Sequence, residues 1–227
     1  MDIRILGVSG SPVKGGNTEA FLKEALKAAE GFGAQTELIP LSGKEVRDCL
    51  HCNWCVRKQE EGKFCNQHDF MQEVYPKLLE ADGLILATPV YFTRLSGYMA
   101  CFMDRLRCFA HGNYYKGRLR DNVGGAMAVA WYRNMGLETA LLSIVVGLLA
   151  LDIIPVTPRL HGAPEGATAL ASEHGEGKFD PKDRLGVLHD EYGLSSAKDL
   201  AQRMVERVRL VKAGQEALRA AGVLPGV

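Results

Sequence analysis

The sequence predicts a doubly wound α/β fold, a parallel sheet of five strands with helices on both faces. Three observations carry this. Short apolar runs alternate with amphipathic segments along most of the chain. The run GLILATPVY (83–91) has no charged residue, as suits a parallel strand covered on both faces. The 227 residues, 47% hydrophobic, are enough to bury a large core within one domain.

In order, IRILGVSG (3–10) is the first strand, ending in Gly and Ser. In NTEAFLKEALKAAEGFG (17–33), Phe21, Leu22, Ala25, Leu26 and Ala29 share one helical face, and Gly31 and Gly33 stop the helix. QTELIPL (35–41) is the second strand, followed by a cysteine-rich loop at 49–65. DFMQEVYPKLLEAD (69–82) reads as a helix with a kink expected at Pro76. After the third strand (83–91) come a helix over 96–110, a strand over 122–131, a helix over 136–150 and a strand over 152–157. Residues 161–194, rich in Gly, Glu, Asp and His and without a sustained period, read as a long surface excursion. The last amphipathic helix is expected to begin at Ser195 or Ser196, with Leu200, Met204, Val208 and Val211 along one face. The whole chain, 1–227, reads as one domain carrying the cysteine loop and, at 161–221, a long loop plus C-terminal helical extension.

Charge is balanced, 27 basic against 27 acidic residues, with no basic cluster to track phosphates, which argues against nucleic acid. The N-terminus lacks a charged segment followed by an apolar one, and ALLSIVVGLLAL (140–151) is too short to span a bilayer. A soluble, cytoplasmic protein without a membrane partner is expected. In a reducing compartment, clustered cysteines are more often metal ligands or redox thiols than disulfide staples.

In a sheet of this kind ligands bind outside the carboxyl ends of the strands, where strand order reverses. Three loops fall there. SGSPVKGGNTEA (9–20) sets Ser9, Ser11, Asn17 and Thr18 with Gly15 and Gly16 between a strand and a helix N-terminus, where free N–H groups and the helix dipole favour a phosphate. It has neither the G-K-[ST] ending of a Walker loop nor a G-x-G-x-x-G turn, so a phosphomonoester is the better match. The same residues also read as a Ser/Gly turn with Asn17 as helix cap. TPVYFTRLSG (88–97) and AWYRNMGLET (130–139) place Tyr91, Phe92, Trp131 and Tyr132 at the same edge, where exposed aromatic surface is costly without a planar partner. One loop for phosphate and two for a flat ring together point to FMN.

Cys49, Cys52, Cys55 and Cys65 lie within CLHCNWCVRKQEEGKFC (49–65), the first three at three-residue intervals. Zinc sites favour two separated C-x2-C knuckles, whereas this spacing wraps a chain around one corner of an iron–sulfur cubane. Zinc, or no metal, stays open as an alternative. Arg47, Arg57, Lys58 and Lys63 would offset the charge of a thiolate cluster, or are simply solvated, as His51 and His68 also read. Cys101 and Cys108, seven apart on a predicted helix, read as core thiols.

With GVSGSPVKGGNTEAFL, the cysteine run, FMQEVYPKLLEADGLILATPVYFTRLSGYMACFMDRL and MGLETALLSI in this order, the chain resembles the iron–sulfur flavoprotein family, within the NAD(P)H-dependent FMN reductase group of flavodoxin-like proteins. The resemblance covers about residues 1–155. It implies a flavodoxin-like fold, FMN, a [4Fe–4S] cluster and assembly as a dimer of dimers. It carries Ser9, Ser11, Asn17 and Thr18 to the FMN phosphate, Pro89, Val90, Tyr91 and Phe92 to one flavin loop, and Ala130, Trp131, Arg133 and Gly136 to the other. The four cysteines of the run become the cluster ligands, although the gap between Cys55 and Cys65 is longer than the family's usual one. No protein side chain is required as acid or base. The reading that follows is an electron-transfer flavoprotein, fed by a ferredoxin-like donor or by NAD(P)H, with a small planar acceptor possible and a homo-oligomer, dimer or tetramer, expected. Alternatives are an NAD(P)H-dependent FMN or quinone reductase without a cluster, and a redox-sensing interaction protein.

Overall fold

The computed structural model describes residues 2–178 and 180–223. Five positions form the sheet, in the order β2 (Gln35–Pro40), β1 (Arg4–Ser9), β3 (Gly83–Tyr91), β5 (Val123–Ala130) and β6 (Ile154–Val156), all parallel. From β1 the chain moves outward to β2 and then returns past it to β3, so strand order reverses between β1 and β3. That is the predicted doubly wound topology, and the reversal opens a crevice at the carboxyl edge.

The alternation of side chains along the central strands divides the core in two. Leu6, Val8, Leu84, Leu86, Ala126 and Ala128 face α3 (Met71–Glu80), α4 (Gly97–Arg105) and α6 (Leu137–Leu149). Ile3, Ile5, Ile85, Ala87, Met127 and Val129 face α1 (Asn17–Gly31) and α7 (Glu191–Ala220). The α1 residues picked out by periodicity, Phe21, Leu22, Ala25, Leu26 and Ala29, are all buried there. Each of the larger ones contributes roughly 1.5–3 kcal/mol by leaving water.

The structure departs from the expected elements in three places. The excursion after β6 is not all irregular: β7 (Ala167–Leu170) pairs in parallel with Met127–Ala130, so the fifth sheet position is split between β6 and β7. Ala167 and Ala169 are buried against α7, and a four-residue ATAL strand is too short and too weak in β-propensity to stand out in sequence. The final helix starts at Glu191 with Asp190 as its cap, whose carboxylate accepts the Gly193 N–H (2.9 Å) and also the Leu170 N–H (2.7 Å). Ser196, fully buried, instead accepts the Thr168 N–H and donates to Gly193 O (2.7 Å). The segment 96–110 breaks at Leu106 into α4 and α5 (Arg107–His111). As expected, α3 is a helix with Pro76 inside it. A two-residue strand, β4 (Arg94–Leu95), folds back antiparallel on the end of β3, and α2 (Trp54–Lys58) is a single turn inside the cysteine loop. Among the described residues no helix is long and apolar enough to cross a membrane.

Candidate functional site

The loops after β1, β3 and β5 meet at the carboxyl edge, tied by hydroxyls. The Gly10 N–H donates to Ala87 O of β3 (2.8 Å). Ser96 caps α4 by accepting the Met99 N–H (3.1 Å) while its hydroxyl donates to Gly10 O (2.6 Å). Thr88, buried at the end of β3, accepts the Ser96 N–H (3.0 Å). Thr88 and Ser96 thus hold the first loop against the second. Neither stands out in sequence, since each reads as an ordinary strand or cap residue.

Ser9, Ser11 and Thr18 are buried in the first loop, as a phosphate cradle needs. The Ser9 hydroxyl has no hydrogen-bond partner among the described residues, a rare condition for a buried polar group and one that a bound acceptor would relieve. Asn17 differs from expectation. The cap of α1 is Gly16, not Asn17, and the Asn17 amide is taken up far from the loop, its Nδ2 donating to Arg184 O (3.1 Å) and its Oδ1 accepting the Val187 N–H (3.0 Å). In the first turn of α1, Glu19 accepts the Gly15 N–H (3.0 Å) and pairs with Lys23 (2.8 Å). Burial pushes its carboxyl up, but Lys23, the Gly15 N–H and Lys14 together hold it below the ordinary carboxylate value. An anion bound at this helix N-terminus would share it with that carboxylate.

In the second loop Pro89 is buried, Val90 half-buried, Tyr91 exposed and Phe92 98% exposed. Phe92 (φ +52°) and Thr93 (φ +65°) form the two-residue turn between β3 and β4, both left-handed. Such a conformation costs roughly 1–2 kcal/mol for each non-glycine residue. It presents the Phe92 ring outward at the edge of the sheet. The third loop packs onto this turn through Gly136 (φ +99°), where an added Cβ would lie 2.4 Å from Thr93 O. Only glycine fits. Ala130 is buried, while Trp131, Tyr132, Arg133 and Met135 are exposed.

Residues 171–178 and 180–189 lie along this edge. The Ser172 hydroxyl donates to Trp131 O, the Arg133 N–H donates to Gly175 O (3.1 Å) and the Arg133 guanidinium to His174 O (3.2 Å). At its other end the same segment is held by Asn17. It therefore forms a strap from the third loop to the first, a role that its irregular composition did not signal.

The cysteine loop is knit to α3, α4 and α5 of its own chain. Phe64 is buried, stacked between Tyr75 (5.1 Å) and Tyr115 (4.2 Å). Gln59, buried, donates to Phe64 O (3.0 Å) and Cys108 O (3.3 Å) and accepts the Tyr114 and Tyr115 N–H groups (3.1 and 2.9 Å). Asp69 and Arg105 form a buried ion pair whose guanidinium also donates to Arg47 O (3.2 Å). Burial works against the Arg105 charge, and Asp69 more than restores it, so its pKa lies above the ordinary value.

Cys55 is buried, Cys49 and Cys65 half-buried and Cys52 exposed. Cys49, Cys55 and Cys65 are close enough that a charge on any of the outer two raises the pKa of Cys55. Burial does the most to raise the Cys55 thiol, while Arg107, 3.7 Å from its Sγ, opposes it. Among the described residues no group of three or more His, Cys, Asp or Glu is assembled tightly enough to hold a metal. In donor chemistry, four thiols on one loop beside a guanidinium fit a thiolate-ligated cluster. Of the basic groups expected near the sulfurs, Arg57 and Lys58 are exposed, and Arg47 and Lys63 pair with Glu45 and Glu60. Arg107, on a helix distant in sequence, donates to Cys55 Sγ. Cys108 is a buried core thiol raised by burial, whereas Cys101 is only half-buried. His51 and His68 are exposed.

The model of the NADPH-dependent FMN reductase family matches residues 3–163. An iron-sulfur flavoprotein of Methanocaldococcus jannaschii is 37% identical over 210 residues, covering 92% of this chain and 100% of the relative. An iron-sulfur flavoprotein of Archaeoglobus fulgidus is 36% identical over 203 residues, 89% of this chain and 95% of the relative. Among solved structures, RosB with bound 8-demethyl-8-formylriboflavin-5'-phosphate superposes with a TM-score of 0.71 at 14% identity, covering 99% of this chain and 89% of that one. At that identity the likeness speaks for the fold. Matched along nearly its whole length by such relatives, the chain belongs to the NADPH-dependent FMN reductase family and, within it, to the iron-sulfur flavoproteins, which makes it a flavin oxidoreductase.

Proposed function

We propose that this flavin oxidoreductase passes electrons between a one-electron donor and FMN by way of a [4Fe–4S] cluster held by Cys49, Cys52, Cys55 and Cys65. The observation that carries the reading is the cysteine loop itself. Four thiols share one loop, Arg107 donates to Cys55 Sγ, and Gln59 and the Asp69–Arg105 pair hold the loop. Once bound, flavin would exchange hydride or single electrons and a cluster single electrons, so the two together would join both kinds of chemistry, with oligomerisation bringing one subunit's cysteine loop near another's flavin.

The chain's own residues bind and orient. Ser9, Ser11 and Thr18 with the N-terminus of α1 take the phosphate; the orphaned Ser9 hydroxyl supports this. Pro89, Val90, Tyr91 and Phe92 take one side of the ring, and Ala130, Trp131, Arg133 and Gly136 the other. Asn17 serves the phosphate only indirectly, by anchoring the strap. No side chain need move a proton. The donor is ferredoxin-like or NAD(P)H. Assembly as a homodimer or homotetramer is part of the reading, supported by the exposed Leu142, Val146 and Leu149 along the outer face of α6.

A second reading, an NADPH-dependent reductase of flavins or quinones without a cluster, is favoured by one observation, the outward exposure of Cys52. The visible spectrum of anaerobically purified protein separates the two. Flavin bands with a broad iron–sulfur shoulder support the first, and flavin bands alone the second.

A further inference from the structure

Two arginines approach the cysteine loop, and only one is neutralised by the protein. Arg105 is buried against Asp69, which also accepts the Arg47 N–H (3.0 Å), so this pair is a structural brace. Arg107, two residues on, is half-buried and takes part in none of the ion pairs formed by the described residues. Its fork reaches the cysteine loop at two points more than fifty residues away. Nη2 donates to Asn53 Oδ1 (2.7 Å) and Nη1 to Cys55 Sγ (3.7 Å). Asn53 is left-handed (φ +58°) and caps the one-turn helix α2 that carries Cys55. The Asn113 N–H donates to Cys55 O (3.0 Å), so the sulfur and the main chain of this residue are both held from the α5 side.

A planar fork of this kind is specific in a way that a lysine is not: one nitrogen fixes the loop while the other donates to sulfur. With no carboxylate among the described residues pairing with it, the guanidinium charge is directed at the Cys55 sulfur, which would be a thiolate in a cluster. We propose that Arg107 is the positioning and tuning residue of the cysteine site, fixing Cys55 through Asn53 and raising the reduction potential of the cluster. The proposal rests on the cluster reading above. Reduction adds a negative charge to the cluster, and a hydrogen bond and a positive charge at one of its sulfurs stabilise that reduced form. Arg107 acts through Cys55 and touches no substrate.

The test uses the full chain, purified and reconstituted with iron and sulfide under anaerobic conditions, as wild type, Arg107→Met, Arg107→Lys and Arg57→Met. Arg57→Met removes a charge from the exposed face of the same loop without touching a sulfur. Flavin content serves as the folding control. Arg107→Met is expected to shift the cluster's midpoint potential downward by about 59 mV, a tenfold change in a one-electron equilibrium. It should also release iron to a chelator several-fold faster. Arg57→Met should match wild type in both. If Arg107→Met does not hold flavin, Arg107→Lys decides: keeping the charge but losing the fork, it is expected to release iron faster than wild type, and wild-type release would overturn the proposal. Equal potentials and release rates in Arg107→Met and Arg57→Met would also overturn it, with the cluster reading intact. A wild-type protein that takes up no iron and sulfide would overturn both.

Discussion

At the scale of single residues, the strongest pointer to the ligand is a hydroxyl with nothing to bond. Ser9 is 1% exposed, and its Oγ is unpartnered among the described residues. A buried unpaired polar group costs about 1–3 kcal/mol, which a phosphate oxygen would recover. Ser9→Ala is therefore expected to leave the apoprotein as stable as wild type or more so, while weakening FMN binding about tenfold, as read by urea melts of apoprotein and by flavin fluorescence titration. A variant that lost stability without losing affinity would assign Ser9 to the core instead. Glu19 gives a pH-dependent counterpart. Because its carboxyl is held below its ordinary value of 4.5, the stabilisation it contributes is complete above that value and is lost as pH falls through the lower folded-state value. Stability measured against pH for wild type and Glu19→Gln should differ at neutral pH and converge in acid below the ordinary carboxylate range. The place of Ser9, Ser11 and Thr18 between a strand and a helix N-terminus was legible because their loop follows directly on a strand. The partners of Asn17 were not, since they lie 167 and 170 residues further along the chain.

At the scale of elements, the cysteine loop depends on a residue that its polar sequence conceals. The Gln59 side chain satisfies two carbonyls and two N–H groups, which join the loop to the segment after α5. Gln59→Ala leaves these backbone groups without that partner in a buried place and is expected to cost about 3 kcal/mol, read as a lower midpoint in chemical denaturation. Gly112→Ala should be similarly costly, because an added Cβ would lie 2.1 Å from Cys108 O and from Gln59 Oε1. The strap offers a separable case. Asn17→Ala removes both bonds to residues 184 and 187 and is expected to speed tryptic cleavage at Lys182 or Arg184 severalfold, with little change in the rate elsewhere. An unchanged cleavage pattern would contradict the anchoring role. Spacing showed that four cysteines share one loop, and the structure buries Cys55, half-buries Cys49 and Cys65 and leaves Cys52 exposed. The arginines that face them could not be read from the sequence, because α4 and α5 reach the loop only once α3 and α4 have packed on the sheet.

At the scale of the molecule, the strand–helix alternation predicted the five sheet positions, and apolar periodicity predicted the faces that α1 and α7 turn to one side of the sheet. The division of the fifth position into β6 and β7 was hidden, since three- and four-residue strands carry too few alternations to register against the surrounding glycines and acids. That division matters for function. Pairing β7 with the carboxyl half of β5 brings residues 171–178 over the third loop, and Asn17 ties residues 184 and 187 to the first. The site is therefore a construction of the whole chain and not only of the matched residues 3–163. The central claim is that one chain carries both FMN and a [4Fe–4S] cluster. It is tested most directly by anaerobic purification followed by extraction of the chromophore and analysis of iron and acid-labile sulfide. The account predicts FMN with about four irons and four sulfides per flavin. FAD in the extract, or FMN accompanied by zinc or by no metal, would contradict it.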